Sequence, residues 1–113
     1  MIALDPIAAA RAAVGPAGRP ATAVVHDAPD VRLVVFRLAP GQAVPPHRNA
    51  SSVLLTVLAG SGVLEGEADG VGVPRDCVAG DVVAYAPNEL HAMRATSDEL
   101  LLLAAITPRP GTR

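Results

Sequence analysis

The sequence predicts an all-β fold, a small antiparallel β-barrel or jelly roll preceded by a short N-terminal helix. Three observations predict it. Eleven Pro and ten Gly are spread along the 113 residues and divide them into short segments. Roughly nine of those segments are apolar runs rich in Val and Leu, separated by regular turn signals. One stretch alone, near the N terminus, carries a helix-start signal.

Taken in order, Asp5-Pro6 reads as an N-cap followed by Pro at the first helical position. Ile7–Val14 then forms a short helix, stopped by Gly15-Pro16, with Ile7, Ala10 and Val14 on one stripe able to dock on a sheet. Residues 15–20 are a link. Strands follow at Ala21–His26, Val31–Leu38, Ala43–Asn49, Val53–Leu58, Val63–Glu67, Val71–Val78, Val82–Ala86, Leu90–Ala95 and Glu99–Ile106. Turns rich in Gly, Pro, Asp, Asn and Ser join them, and Ala68-Asp69-Gly70 is a hairpin signal. The organisation is a helix and linker over 1–20, a barrel domain over 21–107, and a loose tail over 108–113.

Composition excludes several classes. A chain of this length buries roughly 60–70% of its unfolded surface, so it holds a core without staples. The formal charge is −2, with nine Arg, no Lys, and only Phe36 and Tyr85 as Phe, Tyr or Trp. No basic stripe or stacking platform for nucleic acid follows from that. Cys77 is single, so no internal disulfide forms, and a reducing cytoplasm is the expected compartment. The Ala-rich start, broken by Asp5, Pro6 and Arg11, does not read as a signal peptide. No apolar run approaches the ~20 residues that span a bilayer.

Two stretches carry the functional signal. Gly41–Gly60 reads Gly, five residues, His47, one residue, Asn49, three residues, Val53, six residues, Gly60. Gly80–Ala95 places His91 eleven residues after Gly80, beyond Pro87. Together they resemble the two signatures of the cupin family, and the resemblance covers residues 31–107. It implies a barrel with a pocket lined by His47 and by His91 from a neighbouring strand. The departures are specific. Asn49 stands where the family has a second His, and Val53 where it has Glu. Pro87 comes one position late, Asn88 replaces the turn Gly, and Ala95 replaces the final Asn. Of the four usual metal ligands, His47 and His91 remain.

On a strand, His47 and Asn49 face the same side, and Ser51 and Val53 continue that face if no bulge intervenes. Two imidazoles aimed at one point suit a divalent transition metal, with Asn49 adding a weak amide oxygen. The site lacks an anionic ligand, which leaves Zn, Ni, Cu or Fe as candidates. The alternative is a pocket without metal, in which both His act as hydrogen-bonding or proton-transfer groups. Glu89 either restores the lost carboxylate or is a solvated turn residue. Tyr85 either offers its phenol to the pocket or lies on the outer face. Met93 shares the parity of His91 and lines the pocket. Arg37 shares a parity with Val31, Leu33 and Val35. It either reaches the barrel mouth, where it attracts an anionic substrate, or snorkels to solvent. Arg48, Arg94 and His26 read as surface groups, and Cys77 as inert packing.

The functional expectation is a small-molecule-binding cupin. One form is a metal-dependent enzyme using His47 and His91. The others are a sensory binder without chemistry and a metal-free acid–base isomerase or cyclase. A homodimer is also expected, because Val31–Leu38 and Glu99–Ile106 are apolar on both parities while a barrel wall buries one.

Overall fold

The computed structural model of the chain describes residues 1–111. Helix α1 spans Pro6–Ala12, with Asp5 Oδ1 accepting from the N–H of Ala8 at 3.0 Å and Pro6 in the first turn. It is shorter than the expected Ile7–Val14, since Ala13 is already extended. Nine strands follow: β1 (Ala21–Ala28), β2 (Val31–Leu38), β3 (Ala43–His47), β4 (Ser52–Ala59), β5 (Ser61–Ala68), β6 (Val71–Val78), β7 (Val82–Tyr85), β8 (His91–Ala95) and β9 (Leu100–Thr107). They form two antiparallel sheets, ordered β1-β2-β9-β4-β7 and β3-β8-β5-β6. The expected barrel-like all-β fold is present.

Parity decides what each sheet face meets. Leu38, Leu55, Val57, Leu100, Leu102 and Ala104 of the first sheet meet Leu64, Cys77, Met93 and Ala95 of the second. That is the core between the sheets. The opposite parity of β2 and β9 carries Val35 and Leu101, which are fully buried with Ala10 under α1. Each fully buried Leu or Val contributes about 1.5–3 kcal/mol by leaving water. The helix therefore covers one of the spare apolar faces. Beyond it, the same outer face runs across the sheet as Leu33, Ala105, Leu54 and Ala84 in direct register. Leu54 remains 47% exposed, so this row is not covered by the described residues.

Two glycines hold the corner between β4 and β5. Gly60 has φ +81°, and a Cβ there would stand 1.7 Å from the carbonyl oxygen of Glu99. Gly62 was expected in a turn but lies inside β5. A Cβ on it would meet the Arg94 carbonyl oxygen at 2.5 Å, so here Gly serves close strand approach, not turning.

The tail expectation needs correction for the residues that are described. Ser51 Oγ donates to the Pro108 carbonyl at 2.6 Å, and the Arg109 N–H donates to Pro29 O at 3.3 Å. Arg109 also pairs with Asp27 at 3.6 Å. Residues 108–109 are thus tied to the body, while 112 and 113 lie outside the described residues. Among the described residues, no helix is long and apolar enough to cross a membrane.

Candidate functional site

The site is built where β3 lies beside β8. Val44 pairs with Met93, and His47 pairs with His91. Three residues on β3 therefore span what two span on β8, which is a β-bulge at Pro45-Pro46. Its consequence follows from alternation. Val44 packs against the inter-sheet core. A regular strand would turn His47, three residues on, to the other face. The extra residue returns it to the face of His91. Proline suits this position because a bulged edge strand has no partner waiting for its missing N–H.

The two imidazoles meet edge to face, with ring centroids 4.0 Å apart. Each ring is oriented by a backbone carbonyl two residues upstream. His47 Nδ1 lies 3.0 Å from Pro45 O, and His91 Nδ1 lies 3.1 Å from Glu89 O. A carbonyl only accepts, so both contacts select the Nδ1–H tautomer. In the neutral ring each Nε2 keeps its lone pair, and it has no hydrogen-bond partner among the described residues. His47 is exposed at the mouth, and His91 is 4% exposed.

Tyr85 completes the group. It lies on the inner face, 3% exposed, and stacks on His91 at 4.8 Å between centroids. Burial pushes its phenol up to about 12, so it stays protonated. Its hydroxyl is buried with no hydrogen-bond partner among the described residues. Val53, opposite Tyr85 in the β4–β7 pair, and Met93 are both buried in the apolar core behind it.

Burial is also the main influence on His91. It holds the ring's pKa below the ordinary value, against the opposing pull of the Glu89 carbonyl, and a charged His47 would push the same way.

Four expected site residues have other work. Strand β3 ends at His47, so alternation does not carry on to Asn49. Its side-chain oxygen accepts from the N–H of Ser51 at 2.9 Å, an Asn turn in place of a ligand position. Ser51 is buried and holds Pro108, as above. Glu89 is bonded to backbone and is not a freely solvated turn residue. Its Oε1 accepts from Ala86 N at 2.9 Å and its Oε2 from Glu67 N at 3.3 Å. Arg37 does share the parity of Val35, but that is the outer, helix-covered face. Its Nη1 donates to the Arg11 carbonyl at 2.8 Å, away from the imidazole pair.

One feature of the rim was not legible in the sequence. Arg48, read there as a surface charge, pairs with Glu67 and donates to the Asn88 carbonyl at 2.7 Å. Glu67 also accepts from Leu90 N at 3.0 Å, and Asn88 N donates to Asn49 O at 2.7 Å. The guanidinium of Arg48, then the Leu90 N–H, hold the Glu67 carboxyl below its usual range. This clasp fixes the loops on both sides of the imidazoles. No spacing in the sequence pairs positions 48 and 67.

The donor set falls short of a metal site. Protein zinc sites use three or four side-chain ligands. Here two imidazoles are available. Asn49 and Glu89 are held by backbone N–H groups, and Val53 is apolar. Among the described residues, no group of three or more His, Cys, Asp or Glu is placed to hold an ion. The residues do not fit a metal held by the protein alone.

With the geometry in hand, comparison places the chain. The cupin domain family matches residues 34–107, and the chain belongs to that family. No curated protein matches it. Solved structures resemble it closely in fold. TT1209 from Thermus thermophilus is 25% identical, with TM-score 0.76 over 88% of this chain and 93% of that one. An RmlC-like cupin protein from Desulfovibrio desulfuricans is 27% identical, with TM-score 0.69 over 80% and 83%. KdgF from Halomonas is 22% identical, with TM-score 0.68 over 80% and 81%, a likeness of fold alone.

The buried neutral His91 has a pH consequence. Below about pH 6.5 the unfolded chain takes up a proton at this position that the folded chain resists. Stability then falls with falling pH, by at most about 1.4 kcal/mol per unit, until the lowered folded pKa is passed. Urea midpoints at pH 7.5 and pH 5.5 should therefore drop more for the parent than for His91→Gln. Equal drops would show that His91 is not held neutral by the fold.

Proposed function

We propose that the chain is a small-molecule-binding cupin in which His47 and His91 act without a resident metal. They serve as imidazoles whose Nε2 accepts a hydrogen bond or a proton from the bound molecule. One observation carries this reading. Both Nδ1 atoms are committed to backbone carbonyls, and neither Nε2 has a hydrogen-bond partner among the described residues. The chemistry that suits such a pair is proton transfer, as in an isomerisation or cyclisation, with Tyr85 as a neutral phenol stacked behind His91.

A second reading draws on the same geometry. Nε2 is also a donor to Zn, Ni, Cu or Fe, and a bound molecule's own oxygens would have to complete the shell. Metal content of protein purified without chelator, followed by zinc titration, separates the two. The expected result is no stoichiometric metal in the parent, His47→Ala, His91→Ala or the distant control His26→Ala. Stoichiometric metal in the parent and in His26→Ala, lost in both other variants, would overturn the metal-free reading.

The Leu33, Ala105, Leu54, Ala84 row supports a homodimer. A second copy covering it removes an apolar strip that carries no charge. Light scattering at micromolar concentration should return the dimer mass, and a monomer mass would contradict the pairing.

A further inference from the structure

Strands β6 and β7 are the free edges of the two sheets on one side of the sandwich. Between them lies a cavity of about 240 Å³ whose inner wall is Tyr85, with Leu64, Gly66, Val73 and Val83 around it. Gly66 keeps it open beside the ring, because a Cβ there would stand 3.3 Å from Tyr85 Cε1 and 2.9 Å from Glu89 Oε2. The cavity thus reaches the residue that stacks on His91.

Arg75 also lines this cavity, and register explains why. It pairs directly with Leu64, whose side chain is in the inter-sheet core, so Arg75 lies on the inner face of its sheet. An arginine on that face of an edge strand is unusual, and this one is exposed. It makes no hydrogen bond or ion pair with any described residue.

The hydrogen-bond partners around the cavity decide what it would take. Two carboxylates, Glu67 and Glu89, stand on the same wall. Both already accept hydrogen bonds, and Glu67 is also ion-paired. Glu89 accepts the N–H groups of Ala86 and Glu67, and Glu67 accepts Arg48 and the Leu90 N–H. The charged group on this wall with no hydrogen-bond or ion-pair partner among the described residues is the guanidinium of Arg75. Its planar fork suits a carboxylate, which it can hold by two parallel hydrogen bonds. The rest of the lining is mostly apolar, and at its back the buried Tyr85 hydroxyl lacks a partner.

We propose that the β6–β7 seam is the binding site for a small monocarboxylate with a compact apolar body, its carboxylate on Arg75 and its body against Leu64, Val83 and the Tyr85 ring. This names a ligand class for the small-molecule reading above and rests on it. A molecule so placed enters from the side of the sandwich, with its inner end toward the Tyr85–His91 stack.

The test uses benzoate, with benzamide as its uncharged near-isostere, titrated into the full-length labelled protein and followed by amide chemical shifts. Benzoate should bind at least tenfold tighter than benzamide, with shifts concentrated in β6 and β7. Arg75→Gln should bring benzoate to the benzamide level. Arg94→Gln, an exposed arginine on the outer face of the same sheet, should leave the preference intact. Equal binding of the two probes by the parent, no benzoate binding at millimolar concentration, shifts away from the seam, or an undiminished preference in Arg75→Gln would each overturn the proposal. The imidazole reading fails separately. His47→Ala should leave benzoate on Arg75, whereas the zinc titration does not depend on Arg75.

Discussion

One extra residue in β3 is what the site depends on. The Val44–His47 segment spans three residues against two on β8, and this places the His47 ring on the inner side, 4.0 Å from that of His91. Strand alternation is strict, so a residue more or less reverses the direction of every side chain beyond it. Without the bulge, His47 would face solvent on the outer side and His91 would have no partner. The same bulge brings Pro45 O to His47 Nδ1, so one local irregularity sets both the face and the tautomer.

Around that pair the polar groups are satisfied in a way that keeps the interior neutral. Glu89 is consumed by turn N–H groups while its own carbonyl orients His91. Glu67 is matched by Arg48 and by the Leu90 N–H. Both carboxylates are hydrogen-bonded at the rim and, among the described residues, Glu67 alone of the two is ion-paired. Burial outweighs the opposing pulls of the Glu89 carbonyl and carboxylate, which is why the proton affinity of His91 falls instead of rising. A family metal site would have an anionic ligand here, and Val53 fills that place with core packing.

The fold was legible because it rests on period and punctuation. Nine apolar runs with turn signals became nine strands, and the both-parity runs of β2 and β9 carry residues buried in the core on one face and under α1 on the other. The pairing of His47 with His91 was implied by the resemblance to the two cupin signatures. Other details were not, each for a physical reason. Arg37 had the right parity, but parity does not say which face is inside until the helix is docked. Asn49 was extrapolated along a strand that stops at His47, where its amide makes a turn instead. Gly62 looks like turn chemistry in one dimension and is a contact requirement in three. Ser51, Glu89 and Arg48 form bonds to residues distant in sequence or to backbone, for which no local pattern exists. Arg75 was hidden by its exposed, charged identity, although its pairing with Leu64 places it inward.

The central claim is that both imidazoles are held in the Nδ1–H form by backbone carbonyls, leaving two Nε2 lone pairs for a ligand. Long-range nitrogen–proton correlation spectra of the histidine rings at pH 8, assigned with His26→Ala, His47→Ala and His91→Ala, test it directly. The account predicts protonated Nδ1 and bare Nε2 on both His47 and His91. An Nε2–H tautomer on either ring would contradict it.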